Sequence, residues 1–304
     1  MTETETLGWL ALSRGTLDRV SDRRRDEAWL ARVWGDPHTR VLIIDKGGAL
    51  VRVHDTPALV FVSPAEAPAG ERYLLGVDDD DVAYFALDGP LPAIDGAEHG
   101  TLRRVGALLS DRDSGVLVHA VALQNWHSTH RYCPRCGHRT NIAAAGASRV
   151  CPDDGSEHFP RVDPAVIMLV HDDGDRLLLA RSPAWPDRRV SILAGFVEPG
   201  ESLEQAVARE VAEEVGLAVR DLRYLGSQPW PLPQSLMLGY FCRADGTREL
   251  RVDEEEIEAA RWYTREELRA AVVAGDILLP GKVSIARHLI EHWYGGELPG
   301  SWGL

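Results

Sequence analysis

The second half of the chain alternates short apolar runs with turn residues and then switches to a helical period. Apolar runs bounded by Gly, Pro or Asp predict strands, here over residues 165–171, 176–181, 190–195, 219–228, 235–243, 249–252 and 258–263. Between them an apolar residue recurs every four positions from Leu203 to Val215, which predicts an amphipathic helix. Two further helices are predicted over 265–274 and 283–294. This order of elements indicates an α+β domain with a mixed sheet between helices.

The helix that begins at Leu203 has recognisable ends. Ser202 and Gln205 are the pair typical of a capping box, which places the first helical residue at Leu203. Gly216 is typical of the position just after a helix, because glycine adopts the left-handed conformation without steric cost. Leu217 can then pack back on the last turn, so both ends of the helix are predicted.

The first 125 residues predict a separate α+β unit. Its strands are predicted over 39–45, 49–54, 58–63, 73–77 and 82–87, and its helices over 26–34, 102–109 and 116–126. Four aspartates from Asp78 to Asp81 separate two of these strands, and a solvated turn is the usual role of such a run. No catalytic constellation is visible, so we expect a structural or dimerisation domain.

Composition limits the classes of function. The chain has 304 residues, of which 44% are hydrophobic, enough for two or three compact units. Its net charge of −14 argues against broad, non-specific nucleic-acid binding but is compatible with recognition of an RNA end. No apolar run reaches about 18 residues, so we expect no membrane span. Met1 to Leu10 lack the features of a secretory signal, and we expect a cytoplasmic location.

A cysteine motif lies between the two halves. Residues 133–137 read C-P-R-C-G, the spacing of a zinc knuckle formed by Cys133 and Cys136, and Cys151 follows at the distance of a second pair. The partner position holds Asp154, a carboxylate that zinc also accepts. Two histidines are alternative ligands, His138 and His158. Structural Zn²⁺ and a ribbon that keeps its shape by packing alone are equally compatible with this pattern.

Three carboxylates crowd one side of the predicted helix: Glu210, Glu213 and Glu214. Residues three and four apart are neighbours on a helix, so these like charges repel one another unless a cation lies between them. Hard oxygen ligands suit Mg²⁺ or Mn²⁺, which neutralise phosphoryl oxygens and generate hydroxide from bound water. The alternative interpretation is a solvated acidic face.

The whole segment from Gly195 to Leu217 fits the pattern G-x5-E-x7-R-E-U-x-E-E-x-G-U, with U aliphatic. With average residue usage, a chance match in a chain of this length is on the order of one in ten million. The segment resembles the Nudix box. This resemblance implies a Nudix α/β/α sandwich with a mixed sheet, and hydrolysis of a nucleoside diphosphate linked to another moiety.

A proline-rich motif, S-Q-P-W-P-L-P-Q-S, occupies Ser227 to Ser235. Its three prolines exclude an interior strand and stiffen a loop that carries Trp230. A rigid aromatic can stack on a flat heterocycle, although a structural turn would be the simpler interpretation of the motif alone. Shortly after a Nudix box, it resembles the motif of the bacterial NADH pyrophosphatase family, which also places a zinc ribbon before the Nudix domain.

This resemblance implies an activity and partners. The family cleaves the pyrophosphate of NADH or NAD⁺ to nicotinamide mononucleotide and AMP, and removes NAD caps from RNA 5′ ends. It requires divalent metal and forms a homodimer in which the tryptophan loop completes the partner's site. The alternatives are a Nudix hydrolase of ADP-ribose or dinucleoside polyphosphates, and a zinc-ribbon nucleic-acid binder. The complete box and the net charge of −14 argue against the binder.

The resemblance also divides the chain into four predicted segments. Residues 1–125 form the N-terminal structural or dimerisation domain, and residues 126–160 the zinc-ribbon-like segment. Residues 161–295 form the Nudix hydrolase domain, and residues 296–304 a tail.

Site roles are implied for individual residues. Glu210, Glu213 and Glu214 are the catalytic carboxylates, with Glu213 or Glu214 as general base. The implied Mg²⁺ or Mn²⁺ ligands are Ala194 through its carbonyl, Glu210, Glu214, and Glu256, for which Glu255 is the nearest alternative. The implied Zn²⁺ ligands are Cys133, Cys136, Cys151 and Asp154. The implied substrate-binding residues are Phe159, Phe196, Gln228, Pro229, Trp230, Pro231, Leu232, Pro233, Gln234, Ser235 and Ala286.

Overall fold

A computed structural model describes residues 6–53 and 56–302, which form two compact units. Within these residues, the C-terminal unit contains 6–13, 163–229 and 235–302. The N-terminal unit contains the rest, including residues 230–234 of the proline-rich motif. The division into four segments stays a prediction.

The N-terminal unit is built on a mixed sheet and one long helix. Its elements are α1 (Glu27–Trp34), β1 (Arg40–Asp45), β2 (Gly48–Arg52), β3 (Ala58–Leu59), β4 (Arg72–Val77), β5 (Ala83–Asp88), β6 (Glu98–Thr101), α2 (Leu102–Val105) and α3 (Asp111–Thr129). The strand order is β3-β2-β1-β5-β4, with β6 paired to β2. Strands β1 and β5 run parallel, and β4 is antiparallel to β5.

Several predicted elements of this unit have different ends in the structure. The helix predicted over 116–126 begins at Asp111, because the Ser110 side chain caps it by accepting from the backbone N–H of Asp113. The helix predicted over 102–109 is only the four-residue α2, which Gly106 follows. The strand predicted over 58–63 is only β3. His54, the end of another predicted strand, lies outside the described residues.

A three-stranded antiparallel ribbon follows α3, with β7 (Asn141–Ala143), β8 (Ser148–Val150) and β9 (Glu157–His158). The buried guanidinium of Arg149 donates to His127 Nδ1 (2.9 Å) and to the carbonyl of Thr140 (2.7 Å). The His127 ring stacks on Tyr73, with ring centroids 4.3 Å apart. These contacts fix the ribbon to α3 and β4.

The C-terminal unit has a mixed sheet between helices. Its elements are β10 (Asp163–His171), β11 (Leu177–Arg181), β12 (Leu193–Phe196), α4 (Leu203–Val215), β13 (Val219–Trp230), β14 (Ser235–Ala244), β15 (Ala259–Tyr263), α5 (Arg265–Ala274) and α6 (Ile285–Tyr294). The strand order is β13-β14-β10-β11-β15, with β12 paired to β10. Strand β10 is parallel to β14 and antiparallel to β12.

The central strand β10 explains the layering, because successive strand side chains point to opposite faces. Val166, Met168 and Val170 pack in one core with the apolar face of α4. Ile167 and Leu169 pack in the other core with α6. The predicted α+β class and α/β/α sandwich are confirmed.

Two predicted strands of this unit differ from the structure. The strand predicted over 249–252 is wrong. Backbone amides there satisfy carbonyls at the end of α4 instead: Arg251 N donates to Val215 O (3.0 Å), and Asp253 N to Glu214 O (3.1 Å). The strand predicted over 190–195 is shifted to β12, with an isolated bridge at Ser191.

Both ends of the described chain pack on the C-terminal unit. Leu7 N donates to Leu225 O (2.8 Å), so the first described residues run along β13. Leu298, of the predicted tail, is buried in the core with α6, and Trp302 N donates to Leu279 O (2.8 Å). No helix within residues 6–53 and 56–302 has the length and apolar character to cross a membrane.

Candidate active site

Helix α4 has the predicted ends. The Ser202 hydroxyl accepts from Gln205 N (3.2 Å), and the Gln205 side chain accepts from Ser202 N (2.8 Å), which completes the capping box. Gly216 is left-handed, with φ of 72°. Val207, Val211 and Val215 are fully buried. This packing turns two of the three box glutamates away from solvent.

Glu214 is the most perturbed carboxyl of the helix. It is 5% exposed, and its Oε2 has no hydrogen-bond partner in the structure. Burial, followed by the negative charges of Glu210, Glu256 and Glu213, raises the pKa of Glu214 to about 8. A buried carboxylate oxygen that faces other carboxylates and accepts no hydrogen bond fits a cation ligand.

Glu210 and Glu213 differ in exposure. Glu210 is 8% exposed, and burial raises its pKa, although the adjacent Arg209 opposes the shift. The Glu213 side chain is 58% exposed. Glu210 and Glu214 are therefore the desolvated pair, while Glu213 faces solvent.

Arg209 connects the loop and the helix of the box. Its guanidinium donates to Glu201 Oε1 (2.8 Å), to Glu210 Oε1 (2.8 Å) and to Glu213 Oε2 (2.9 Å). It also donates to the carbonyl of Phe196 (2.9 Å). Charge-assisted bonds of this kind hold the carboxylates in place, and the bond with Arg209 lowers the pKa of Glu201.

The downstream glutamate lies on the segment that satisfies the end of α4. The charge of Glu256 raises the pKa of both Glu210 and Glu214. Glu255 is not among the charges that raise the pKa of Glu214. Because charge effects of this kind decline with distance, Glu256 is the glutamate that faces the box carboxylates.

Ala194 lies on β12, where it is paired with Ile167 of the central strand. The four candidate ligands for Mg²⁺ or Mn²⁺ thus come from β12, from α4 and from the segment before β15. In the described part of the chain, two sets of three or more Cys, His, Asp or Glu side chains have ligand atoms within 4.8 Å of one another, and both sets lie in the ribbon. The carboxylates of Glu210, Glu214 and Glu256 are therefore more widely spaced than the ribbon ligands.

The ribbon brings Cys133, Cys136, Cys151 and Asp154 together, with their ligand atoms within 4.8 Å of one another. All four predicted zinc ligands therefore converge. The Ser156 hydroxyl and N–H bind Oδ1 of Asp154, and Oδ2 faces Cys133 Sγ at 3.8 Å. The hydrogen bond with Ser156 also lowers the pKa of Cys133 to about 6. The Cys133 thiol with its lowered pKa, two further cysteines and a carboxylate oxygen that faces Cys133 fit a tetrahedral zinc site.

A second set in the ribbon shares one of these cysteines. Cys136, His138 and Asp153 also have ligand atoms within 4.8 Å, and all three residues are exposed. His158, the other alternative ligand, lies near Ser156 Oγ (3.0 Å) and is not a member of either set.

The proline-rich motif has two parts in the structure. Pro229 and Trp230 end the edge strand β13, where a proline is tolerated, and residues 231–234 form a turn. Asn125 of α3 donates to the carbonyls of Pro231 (2.8 Å) and Pro233 (3.1 Å). The guanidinium of Arg103 lies over the Trp230 ring, 5.2 Å from its centroid. Sequence reasoning missed Asn125 and Arg103, because nothing local to either residue indicates a distant loop.

Gln228, predicted to bind substrate, is fully buried. Its Oε1 accepts from Leu12 N (3.1 Å), and its Nε2 donates to Val283 O (3.0 Å). The side chain therefore connects the N-terminal segment to the start of α6. Any contact of Gln228 with a substrate would use its backbone.

The other predicted substrate-binding residues vary in access. Phe159 and Phe196 are exposed by 63% and 59%, which is unusual for large apolar side chains. Leu232, Gln234 and Ser235 are partly buried, and Ser235 pairs with Asp163 at the start of β14. Ala286 is buried in the first turn of α6.

Comparisons with protein families cover most of the chain. Residues 161–280 match the NUDIX domain. Residues 128–159 match the NADH pyrophosphatase zinc ribbon domain. Residues 38–126 match the NADH pyrophosphatase-like rudimentary NUDIX domain. The match of residues 38–126 to a rudimentary NUDIX domain was not predicted from the sequence.

Mycobacterial relatives match over nearly the full length, and a human relative over part of it. The chain is 44% identical to the NAD-capped RNA hydrolase NudC of Mycobacterium bovis, over 93% of this chain and 94% of that protein. It is equally similar to the protein of the same name from Mycobacterium tuberculosis. It is 42% identical to the NAD-capped RNA hydrolase NUDT12 of Homo sapiens, over 69% of this chain and 45% of the human protein.

Proposed function

The chain belongs to the NADH pyrophosphatase family of Nudix hydrolases, and on that basis we propose that it hydrolyses the pyrophosphate bond of NADH and NAD⁺. The products would be nicotinamide mononucleotide and AMP. We propose that it also removes NAD caps from RNA 5′ ends, the activity for which its bacterial and human relatives are named.

The observation that carries the proposal is the group formed by Glu210, Glu214 and Glu256. Glu210 and Glu214 are buried, Glu210 and Glu256 raise the pKa of Glu214, and Glu214 Oε2 has no hydrogen-bond partner. Buried carboxylates this close repel one another when no cation is present, and a bound cation would stabilise them. Mg²⁺ or Mn²⁺ bound by these residues and the Ala194 carbonyl would stabilise charge on the diphosphate and supply an ionised water.

We propose different roles for the charged residues of α4. Glu210 and Glu214 would hold the cation, because both side chains are buried. Glu213, exposed and held by Arg209, or Glu214 itself, takes the proton of the attacking water. Arg209 keeps the loop and the helix of the box in register.

Aromatic surfaces support the dinucleotide assignment. Trp230 lies on a loop held at several points, while Phe159 and Phe196 expose their rings. Flat rings of this kind stack on nicotinamide or adenine. We propose that residues 229–235, the two phenylalanines and Ala286 bind substrate, and that Gln228 contributes through its backbone.

The remaining parts of the proposal concern zinc, assembly and location. We propose structural Zn²⁺ on Cys133, Cys136, Cys151 and Asp154. We propose a homodimer in which the tryptophan loop of one copy completes the site of the other, as the family resemblance implies. All four cysteines are free, which is typical of a reducing compartment, so we also propose a cytoplasmic location.

The test is a hydrolysis panel with Mg²⁺ or Mn²⁺. NADH, NAD⁺, ADP-ribose and an NAD-capped RNA are incubated with the wild type and with Glu214→Gln, and the products are identified by mass. AMP and nicotinamide mononucleotide from the wild type alone support the proposal. The rate on the RNA relative to NADH measures decapping. Cleavage of ADP-ribose alone would contradict the substrate assignment, and no cleavage would contradict the reaction.

A further inference from the structure

We propose that Asn125 is a positioning residue that holds the tryptophan loop, residues 230–234, in its substrate-binding conformation. The inference rests on the proposed function, in which this loop contacts the dinucleotide. Asn125 itself has no predicted role in the reaction and lies more than one hundred residues before the loop in sequence.

The geometry is specific to a side-chain amide. Nδ2 of Asn125 carries two N–H groups and makes two contacts, to Pro231 O at 2.8 Å and to Pro233 O at 3.1 Å. One donor atom thus fixes two alternate residues of the turn. A carboxylate of the same shape could make neither contact, because it only accepts hydrogen bonds.

The loop requires donors from elsewhere. Proline has no backbone N–H, so Pro229, Pro231 and Pro233 remove three donors from this stretch. Within the loop, Leu232 N donates to Trp230 O (2.7 Å). The carbonyls of Pro231 and Pro233 are oriented by Asn125, and unpaired carbonyls would leave the turn free to adopt other conformations.

Helix α3 is a rigid support for this contact. The two residues after Asn125, Trp126 and His127, are each 1% exposed. The His127 ring is fixed on both sides, by Arg149 at Nδ1 and by the Gly146 carbonyl at Nε2, both at 2.9 Å. The backbone at Asn125 therefore has little conformational freedom. Its side-chain hydrogen bonds to Pro231 and Pro233 restrict the conformation of the loop.

Loss of the two contacts changes binding more than chemistry. The catalytic glutamates lie on α4 and are not touched by the substitution. Interactions made equally in the ground state and the transition state affect KM and leave kcat unchanged. We expect KM for NAD⁺ to rise about tenfold and kcat to stay within about twofold of wild type.

Two variants and one control test this. Asn125→Asp keeps the shape and replaces the donors with acceptors. Asn125→Ala removes the donors and favours the helix, so folding is retained. Asn141→Asp makes the same chemical change at an exposed position of β7 and serves as the control. Steady-state kinetics on NAD⁺ is combined with hydrogen exchange at the amides of Trp230, Leu232 and Gln234.

The proposal predicts faster exchange in the loop and a raised KM for both Asn125 variants, and neither change for Asn141→Asp. Unchanged exchange would show that Asn125 does not hold the loop. Faster exchange with an unchanged KM would overturn its role in substrate binding. A wild type that cleaves neither NAD⁺ nor NADH refutes the proposed function and the substrate part of this inference, while the exchange experiment still decides whether Asn125 holds the loop.

Discussion

Gly195 and Glu210 lie so close that a side chain at Gly195 would force the Glu210 carboxylate to move. A Cβ atom at this position would come within 1.8 Å of the Glu210 carboxyl carbon and about as close to both of its oxygens. The first glycine of the box therefore lets a strand approach the carboxylate of a helix. The reason for glycine at position 195 is the space it leaves for Glu210.

Gly195→Ala is expected to abolish turnover of NADH, because the new methyl group displaces the Glu210 carboxylate. The atoms in overlap are the end of a flexible side chain that can move, so the unfolding free energy is expected to change much less than turnover does. Product formation and urea unfolding measure the two effects. Gly296→Ala is the control, since a Cβ there meets nothing within 4 Å. Turnover of Gly195→Ala near the wild-type rate would contradict the role of this close approach.

Glu214→Gln is expected to fold normally and to lower turnover by about a thousandfold or more, because it removes a ligand charge and a candidate base. Circular dichroism checks the fold, and product formation with Mg²⁺ or Mn²⁺ measures the rate. Glu204→Gln, in the first turn of the same helix, is the control. Turnover of Glu214→Gln close to the wild-type value would refute the assignment.

The raised pKa of Glu214 predicts that the unfolding free energy depends on pH when no Mg²⁺ or Mn²⁺ is added. The same variant tests this. The pKa of Glu214 rises from its usual 4.5 to about 8 on folding, so between these values the folded state binds the proton that the unfolded state loses. Unfolding free energy therefore falls as pH increases from about 4.5 to 8, by at most about 1.4 kcal/mol per pH unit for one group. Glu214→Gln lacks this contribution. Urea unfolding at pH 5 and pH 8 should show the difference between variant and wild type growing with pH.

The lowered pKa of His127 predicts the opposite pH dependence of the unfolding free energy, at acid pH. Arg149 can only donate, so Nδ1 of His127 accepts and Nε2–H donates to the Gly146 carbonyl, which requires a neutral ring. Burial lowers the pKa of His127 from 6.5 to about 4. Between these values only the unfolded state takes up the proton, so stability is full above pH 6.5 and falls as pH decreases towards 4.

The measurement compares wild type with His127→Gln, in urea unfolding at pH 5 and pH 7. Wild type should lose more unfolding free energy over this range than the variant, by up to about 1.4 kcal/mol per pH unit. Burial also lowers the pKa of His119, to about 3, but that residue is present in both proteins and cancels in the comparison. Equal losses would show that His127 does not remain neutral in the fold.

Zinc content distinguishes the two ligand sets of the ribbon. Asp154→Ala should lower zinc from one ion per chain to well below one, since it removes the fourth ligand, and Asp154→Cys should retain the ion. Asp153→Ala is the matched control and should retain zinc, because Asp153 belongs only to the exposed set with Cys136 and His138. Elemental analysis after dialysis gives the ratio. Loss of zinc in Asp153→Ala alone would favour the exposed set.

Elements with strong local signals were predicted closely. Helix α4 begins and ends where the capping box and Gly216 placed it, and α5 has the predicted bounds. The prediction of a strand over 249–252 was wrong. Its alternating apolar residues suggested a strand, but backbone amides of this segment donate to carbonyls at the end of α4. The full extent of α3 was also missed, since its first turn is polar and its start depends on the Ser110 cap.

The amino-acid sequence by itself determined the identity of the box carboxylates, the cysteine spacing and the rigid proline loop, because these depend on residue type at short separations. Tertiary structure alone decided that Gln228 is buried as a structural link and that Asn125 supports Pro231 and Pro233. These relations join residues far apart in sequence. They arise only when packing brings their donors, acceptors and charges together, so no local pattern could predict them.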